Sequence, residues 1–159
     1  MYRYGTLQSS ICPSPQADIL VFHPSRQSFC VPVAAIIDTG AVMTILPEQI
    51  IRDLATISRL GIDPVETRQG TTVTDELFPI PVYQLRLTVI ATPNLEVIDT
   101  TEDVNITEDI SFLNIKVGSI RGKRYAIIGR DILNEKKLVL NAPQNIWGFN
   151  CHGPDCGFS

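Results

Sequence analysis

Short apolar runs, each broken by Gly, Pro, Asn or Asp, dominate this chain and predict a domain built mainly of strands. Asp18-Ile19-Leu20-Val21-Phe22 reads as a strand ended by His23-Pro24. The stretch from Phe29 to Ile37 is apolar and β-branched enough to form another, and it runs straight into a turn beginning at Asp38. Pro47 to Leu54 breaks the pattern: Ile50, Ile51 and Leu54 share one helical face, and Pro47 suits a first turn. Gly61 is expected to end that helical region or to mark a turn soon after it.

From Pro64 onward the strand pattern returns. Val65 to Arg68 leads into Gly70 and Thr71-Thr72-Val73-Thr74 leads out, which predicts a hairpin with Gly70 at or beside its tip. Pro81 to Ile90 alternates, with Val82, Leu85, Leu87 and Val89 apolar, as a half-buried strand does. Residues 92–110 carry Glu96, Asp99, Glu102, Asp103, Glu108 and Asp109 and read as an exposed acidic insertion. Strand signals resume at Ile110 to Val117 and at Tyr125 to Ile128. Gly129 to Asn134 reads as a turn into a brief helix, and Lys137 to Leu140 and Asn145 to Phe149 as closing strands. There is no internal repeat and no low-complexity segment.

Composition narrows the function classes. With 159 residues the chain has room for one domain and a real core. It is 44% hydrophobic and 19% charged, as ordinary globular proteins are. Its net charge of -4 lacks the basic footprint of a nucleic-acid partner. The densest basic group, Arg121-Gly122-Lys123-Arg124, is short enough to be a turn with solvated charges. No stretch approaches the ~20 apolar residues of a membrane span, and no signal-peptide core follows Met1 to Gly5, so a cytoplasmic protein without membrane contact is expected. Reduced thiols are then the expectation for Cys12, Cys30, Cys151 and Cys156. Cys151-His152-Gly153-Pro154-Asp155-Cys156 lacks the second ligand pair of a zinc site, so a tail and no metal are expected there. Neither His23 nor His152 accompanies a Ser or Cys nucleophile motif.

Asp38 carries the sharper chemistry. Asp38-Thr39-Gly40-Ala41 follows Val33-Ala34-Ala35-Ile36-Ile37, so a carboxylate sits at the end of a buried strand. An ionised Asp there is costly unless it is paired or shares a proton. Two carboxylates holding one proton form the dyad of aspartic proteases. The chain has one Asp-Thr-Gly, so a second copy must supply the other carboxylate. The bland alternative is an Asp that closes a turn. Asp99-Thr100-Thr101, with Thr in third place and polar surroundings, reads as loop. For Arg130-Asp131, a surface ion pair and support of the site stand nearly level.

Two blocks, Ile36-Ile37-Asp38-Thr39-Gly40-Ala41 and Ala126-Ile127-Ile128-Gly129-Arg130-Asp131-Ile132-Leu133, flank the hairpin. Together they resemble the retropepsins, the retroviral-type aspartic proteases with cellular and bacterial relatives, over roughly residues 30–149. The resemblance implies an all-β, closed barrel-like fold with one or two short helices and a hairpin flap. It also implies endopeptidase activity from an Asp38/Asp38′ pair in a homodimer, on a polypeptide substrate and with no cofactor. Asp38 would be the catalytic carboxylate, Thr39 would bond across the dimer axis, and Gly40 would allow close approach of substrate and partner. Ala41 would line the floor beside the peptide, with Val42 also among the substrate-binding positions. Arg68, Gly70, Thr71 and Thr72 would belong to the flap, and Ile36, Tyr125 and Ile127 to side-chain pockets. Thr44, Gly129, Arg130 and Asp131 would support the catalytic loop. Retroviral enzymes commonly carry Asp where this chain has Val42, which leaves Arg130 to find another partner. The division expected is an N-terminal segment 1–28 that could join the dimer interface, a protease domain 29–149 and a tail 150–159. The alternative function is a silent peptide-binding or dimerisation module of the same fold.

Overall fold

The computed structural model describes residues 2–5, 14–90, 109–135, 137–141 and 146–150. Its strands are β1 (Tyr2–Gly5), β2 (Ser14–Phe22), β3 (Cys30–Ile37), β4 (Ile45–Pro47), β5 (Glu66–Thr71), β6 (Leu77–Ile90), β7 (Ile110–Ile120), β8 (Ala126–Ile128), β9 (Lys137–Asn141) and β10 (Ile146–Asn150). Two helices join them, α1 (Glu48–Ser58) and α2 (Arg130–Leu133). The order β6-β7-β4-β8-β3-β2 closes on itself because β2 also pairs with β6, making a six-stranded barrel. Closure leaves those strands no free edge. β1, β10 and β9 extend from β2 on one side, and β5 extends from β6 on the other.

Alternation along the strands fills the barrel. Ala17, Ile19 and Val21 of β2, Leu85, Leu87 and Val89 of β6, and Phe112 and Val117 of β7 bury their side chains in one cluster. Ile50, Ile51 and Leu54 of α1 join it, which is the helical face the sequence predicts. Pro47 stands at the position just before α1 rather than inside its first turn and makes no capping bond, and Glu48 complements the positive end of the helix. The helix stops at Arg59, in the left-handed conformation at φ 53°, rather than at Gly61. A bulge lies between Leu85 and Leu87, where β6 advances two residues while β7 advances three, from Ile115 to Phe112. Asn114 absorbs the excess at φ 53°.

Two expectations need correction, and one strand was not foreseen. The hairpin is present, but Gly70 pairs with Phe78 inside the β5–β6 ladder, and the turn occupies residues 72–76. Thr72 sets that turn: its N–H donates to the Glu76 carbonyl, its Oγ1 accepts from the Thr74 and Glu76 amides, and Asp75 takes φ 60°. The boundary at 28/29 cuts through a β2–β3 hairpin that runs in register from Gln16↔Ile36 to Phe22↔Cys30, so residues before 29 supply a stave of the barrel. β4, three residues long, carries too little pattern to be read as a strand. The acidic insertion, except for its last two residues, and the 151–156 tail lie outside the described residues. Among the described residues no helix is long and apolar enough to cross a membrane.

Candidate active site

β3 and β8 run parallel, with Ala35, Ile36 and Ile37 opposite Ala126, Ile127 and Ile128. The ladder continues one step further, because the Asp38 amide donates to the Ile128 carbonyl at 3.0 Å. The chain then turns within three residues. Gly40 N–H donates to Asp38 Oδ1 at 2.8 Å, and Ala41 N–H to the Asp38 carbonyl at 3.2 Å. One carboxylate oxygen is thereby oriented, while Oδ2 accepts nothing from the described residues. A Cβ on Gly40 would stand 3.1 Å from Oδ1, closer than most side chains tolerate. Asp38 is partly exposed, and Thr39 and Gly40 are exposed.

Behind the turn stands a polar buttress. Thr44 is fully buried. Its amide and its Oγ1 donate to Asp131 Oδ2 and Oδ1, both at 2.8 Å, and the same Oγ1 accepts the Gly129 amide at 3.1 Å. Arg130 N–H donates to the Ala41 carbonyl at 2.9 Å. A Cβ on Gly129 would lie 2.6 Å from the backbone C and O of Met43, so the two loops can meet this closely only with glycine there. Asp131 thus spends its carboxylate on Thr44 and on the Ile132 amide, not on an ion pair with Arg130. The Arg130 side chain is exposed and has no partner among the described residues.

The remaining candidates spread around this centre. Ile36 is 3% exposed, and its neighbour Ile127, partly buried, also faces Ile45. Tyr125 is half-buried just before β8. Val42 is 71% exposed beside the loop. On the hairpin, Arg68 and Thr71 are exposed, Thr72 is half-buried in the turn, and a Cβ on Gly70 would strike Phe78 and Ile80 at 2.6 Å. Met43, Ile80 and Gly118 escaped sequence reasoning. A Cβ on Gly118 would meet Ile45, Ile80 and Met43 at 2.7, 2.8 and 3.2 Å, so this strand glycine makes room for three apolar side chains. A glycine inside an otherwise regular strand was the available signal.

Charge is arranged at the hairpin base. Lys116 Nζ lies 2.9 Å from Glu66 Oε2, and Arg68 Nε 2.6 Å from Oε1. Hydrogen bonding to Lys116, then to Arg68, lowers the Glu66 carboxyl below its ordinary value. Glu66 on β5 therefore reaches across β6 to β7. Among the described residues no group of His, Cys, Asp and Glu is placed to hold a metal.

No protein-family model matches the sequence, and no curated protein matches it. Solved structures do. The retroviral protease-like domain of Ddi1 from Leishmania major is 15% identical, with a TM-score of 0.50 over 87% of this chain and 89% of that one. A retropepsin-like aspartic protease from Rickettsia conorii is 14% identical, with a TM-score of 0.46 over 89% and 83%. The simian foamy virus protease is 14% identical, with a TM-score of 0.43 over 75% and 91%. The six-stranded barrel, its two short helices and the paired loops at Asp38 and Gly129 constitute a retropepsin-like fold.

Proposed function

We propose that this chain is an aspartic endopeptidase whose active site forms when two copies bring their Asp38 turns together. The observation that carries the reading is the Asp38 turn itself. Its carboxylate reaches the surface of a retropepsin-like barrel on a loop fixed by Ile128, Gly40 and the Thr44–Asp131 buttress. Two such carboxylates a few ångströms apart share one proton, because both cannot easily ionise. The ionised one takes a proton from a water held between them as that water attacks the scissile carbonyl. The protonated one donates to the carbonyl oxygen, and the departing amine is protonated as the tetrahedral intermediate collapses. The β5–β6 hairpin would act as the flap, covering an extended polypeptide whose backbone pairs as an added strand.

Cleavage of a mixed peptide library by wild type and Asp38→Asn, from acidic to neutral pH, tests this. Cleavage by wild type alone is the expected result. Equal cleavage by both would locate the chemistry elsewhere. Silence from both, with a dimer found by sedimentation, would leave a peptide-binding or dimerisation module.

A further inference from the structure

The distribution of unpaired cations is uneven. Among the cations with described side chains, Arg26 donates to the Ser58 carbonyl, Arg52 pairs with Glu48, Arg68 and Lys116 pair with Glu66, and Arg86 stacks on Phe22. Arg59, Arg121, Lys123, Arg124 and Arg130 have no side-chain partner among the described residues. Four of these five flank β8, the strand whose end fixes Asp38. Among the strands whose flanking side chains are described, β8 is the one bracketed by cations without a described partner.

Placement gives these charges a use. Arg121, Lys123 and Arg124 lie on the turn from β7 to β8, with Gly122 at φ 82°. Ile120, opposite Pro47, and Ala126, opposite Ala35, anchor the turn at both ends. Arg124 precedes Ile128 by four residues, so it lies about 13 Å along the strand from the carbonyl that holds Asp38. An extended peptide rises by about the same ~3.3 Å per residue, so one running alongside β8 would bring side chains about four residues from the bond being cut to this turn. Arg121 and Arg124 are exposed and Lys123 is partly so, which puts their charges within reach of a ligand carboxylate.

We infer that the Arg121–Lys123–Arg124 turn is a specificity element that selects polypeptides with acidic side chains flanking the scissile bond. The inference rests on the active-site reading above. A symmetric pair of chains would set one such turn on each side of the cleaved bond.

The test uses the full chain and matched peptides built on the library sequence best cleaved by wild type or, if none is cleaved, best bound by Asp38→Asn, differing only in Glu, Gln or Lys at flanking positions. Turnover is measured with wild type. Binding of the same labelled peptides to Asp38→Asn is measured by fluorescence anisotropy, which does not depend on catalysis. The Glu peptide should exceed the Gln peptide about two- to tenfold in kcat/KM and in affinity, the range of one or two exposed ion pairs. The Lys peptide should fall below both. The ratio should shrink toward one as salt rises from about 0.05 to about 0.5 M. It should also collapse in Arg121→Gln/Lys123→Gln/Arg124→Gln. Equal handling of Glu and Gln by wild type, or a preference that survives the triple substitution, overturns the inference. Should no peptide be cleaved, the protease reading fails, yet the binding ratio still decides this one; absence of binding by any peptide ends it.

Discussion

Gly129→Ala puts the buttress under direct strain. The added methyl would sit 2.6 Å from the Met43 carbonyl carbon and oxygen and 3.1 Å from the Ala41 oxygen, well inside the 3.4 Å where ordinary contact begins. Those atoms are backbone, so no side chain can swing aside. Gly129 has φ -97°, allowed to any residue, and the cost is therefore purely steric. Overpacking of this kind costs about 1–3 kcal/mol, and displacing the Gly129 amide from Thr44 Oγ1 adds about 1 kcal/mol. The sum, about 2–4 kcal/mol, lowers the melting temperature by about 5–15 °C for a chain of this size at fixed concentration. Because the same push moves the Ala41–Arg130 bond, the Asp38 loop shifts too, and a misplacement approaching 1 Å costs about a hundredfold in rate. Gly61→Ala is the control, since nothing lies within 4 Å of its added Cβ; it should be neutral or stabilising by up to about 1 kcal/mol. Thermal melts and peptide turnover on wild type and both variants decide the matter. A Gly129→Ala protein that melts with wild type and cleaves at full rate would refute the steric reasoning.

Other outcomes follow from the same structure. Thr44→Val removes the hydroxyl that accepts from Gly129 and donates to Asp131, at about 2–4 kcal/mol, while Thr44→Ser should recover most of the loss; urea melts of the three proteins check it. His23 is 1% exposed, accepts the Ser25 and Arg26 amides on Nδ1, and leaves Nε2 to donate to the Leu60 carbonyl. His23→Phe strands the Ser25 and Arg26 amides and leaves the Leu60 carbonyl with only the Ser58 hydroxyl, and should cost about 2–4 kcal/mol, read by the same melts. Glu66 has a lowered carboxyl in the folded state, so its contribution is complete above the ordinary glutamate value of 4.5 and fades as pH falls through the lowered one. The melting difference between wild type and Glu66→Gln should therefore be present at neutral pH and vanish in strong acid, and a difference that persists in acid would contradict the linkage.

Local patterns made much of this legible. The apolar run into Asp38 and the Ile50-Ile51-Leu54 face are written in consecutive residues, and both elements form where those residues stand. The hairpin turn went astray because Gly70 drew attention as the turn former, whereas its lack of a side chain serves packing against Phe78 and Ile80. Thr72 and Asp75 close the turn by side-chain and left-handed geometry that any polar stretch permits. Thr44 and Asp131 stood out singly, but a bond between residues 87 apart has no sequence signature. The Met43–Ile45–Ile80–Gly118 grouping was hidden for the same reason, being assembled from three strands and a loop.

The β2–β6 pairing that shuts the barrel also sets the order in which the chain can fold. Asp18 meets Ile90 and Phe22 meets Arg86, contacts that span more than sixty residues. On the ribosome β2 is made before β6, and it can pair with β3 as a hairpin within moments of emerging. Its second edge stays bare until the whole of β6 has been synthesised, exposing Ile19 and Val21 meanwhile. Non-local closure of this kind slows folding, and an open apolar edge invites pairing with another chain. Nascent copies are therefore most vulnerable to aggregation in the interval between those two strands, when only β3, β4 and α1 can begin to cover the unfinished core.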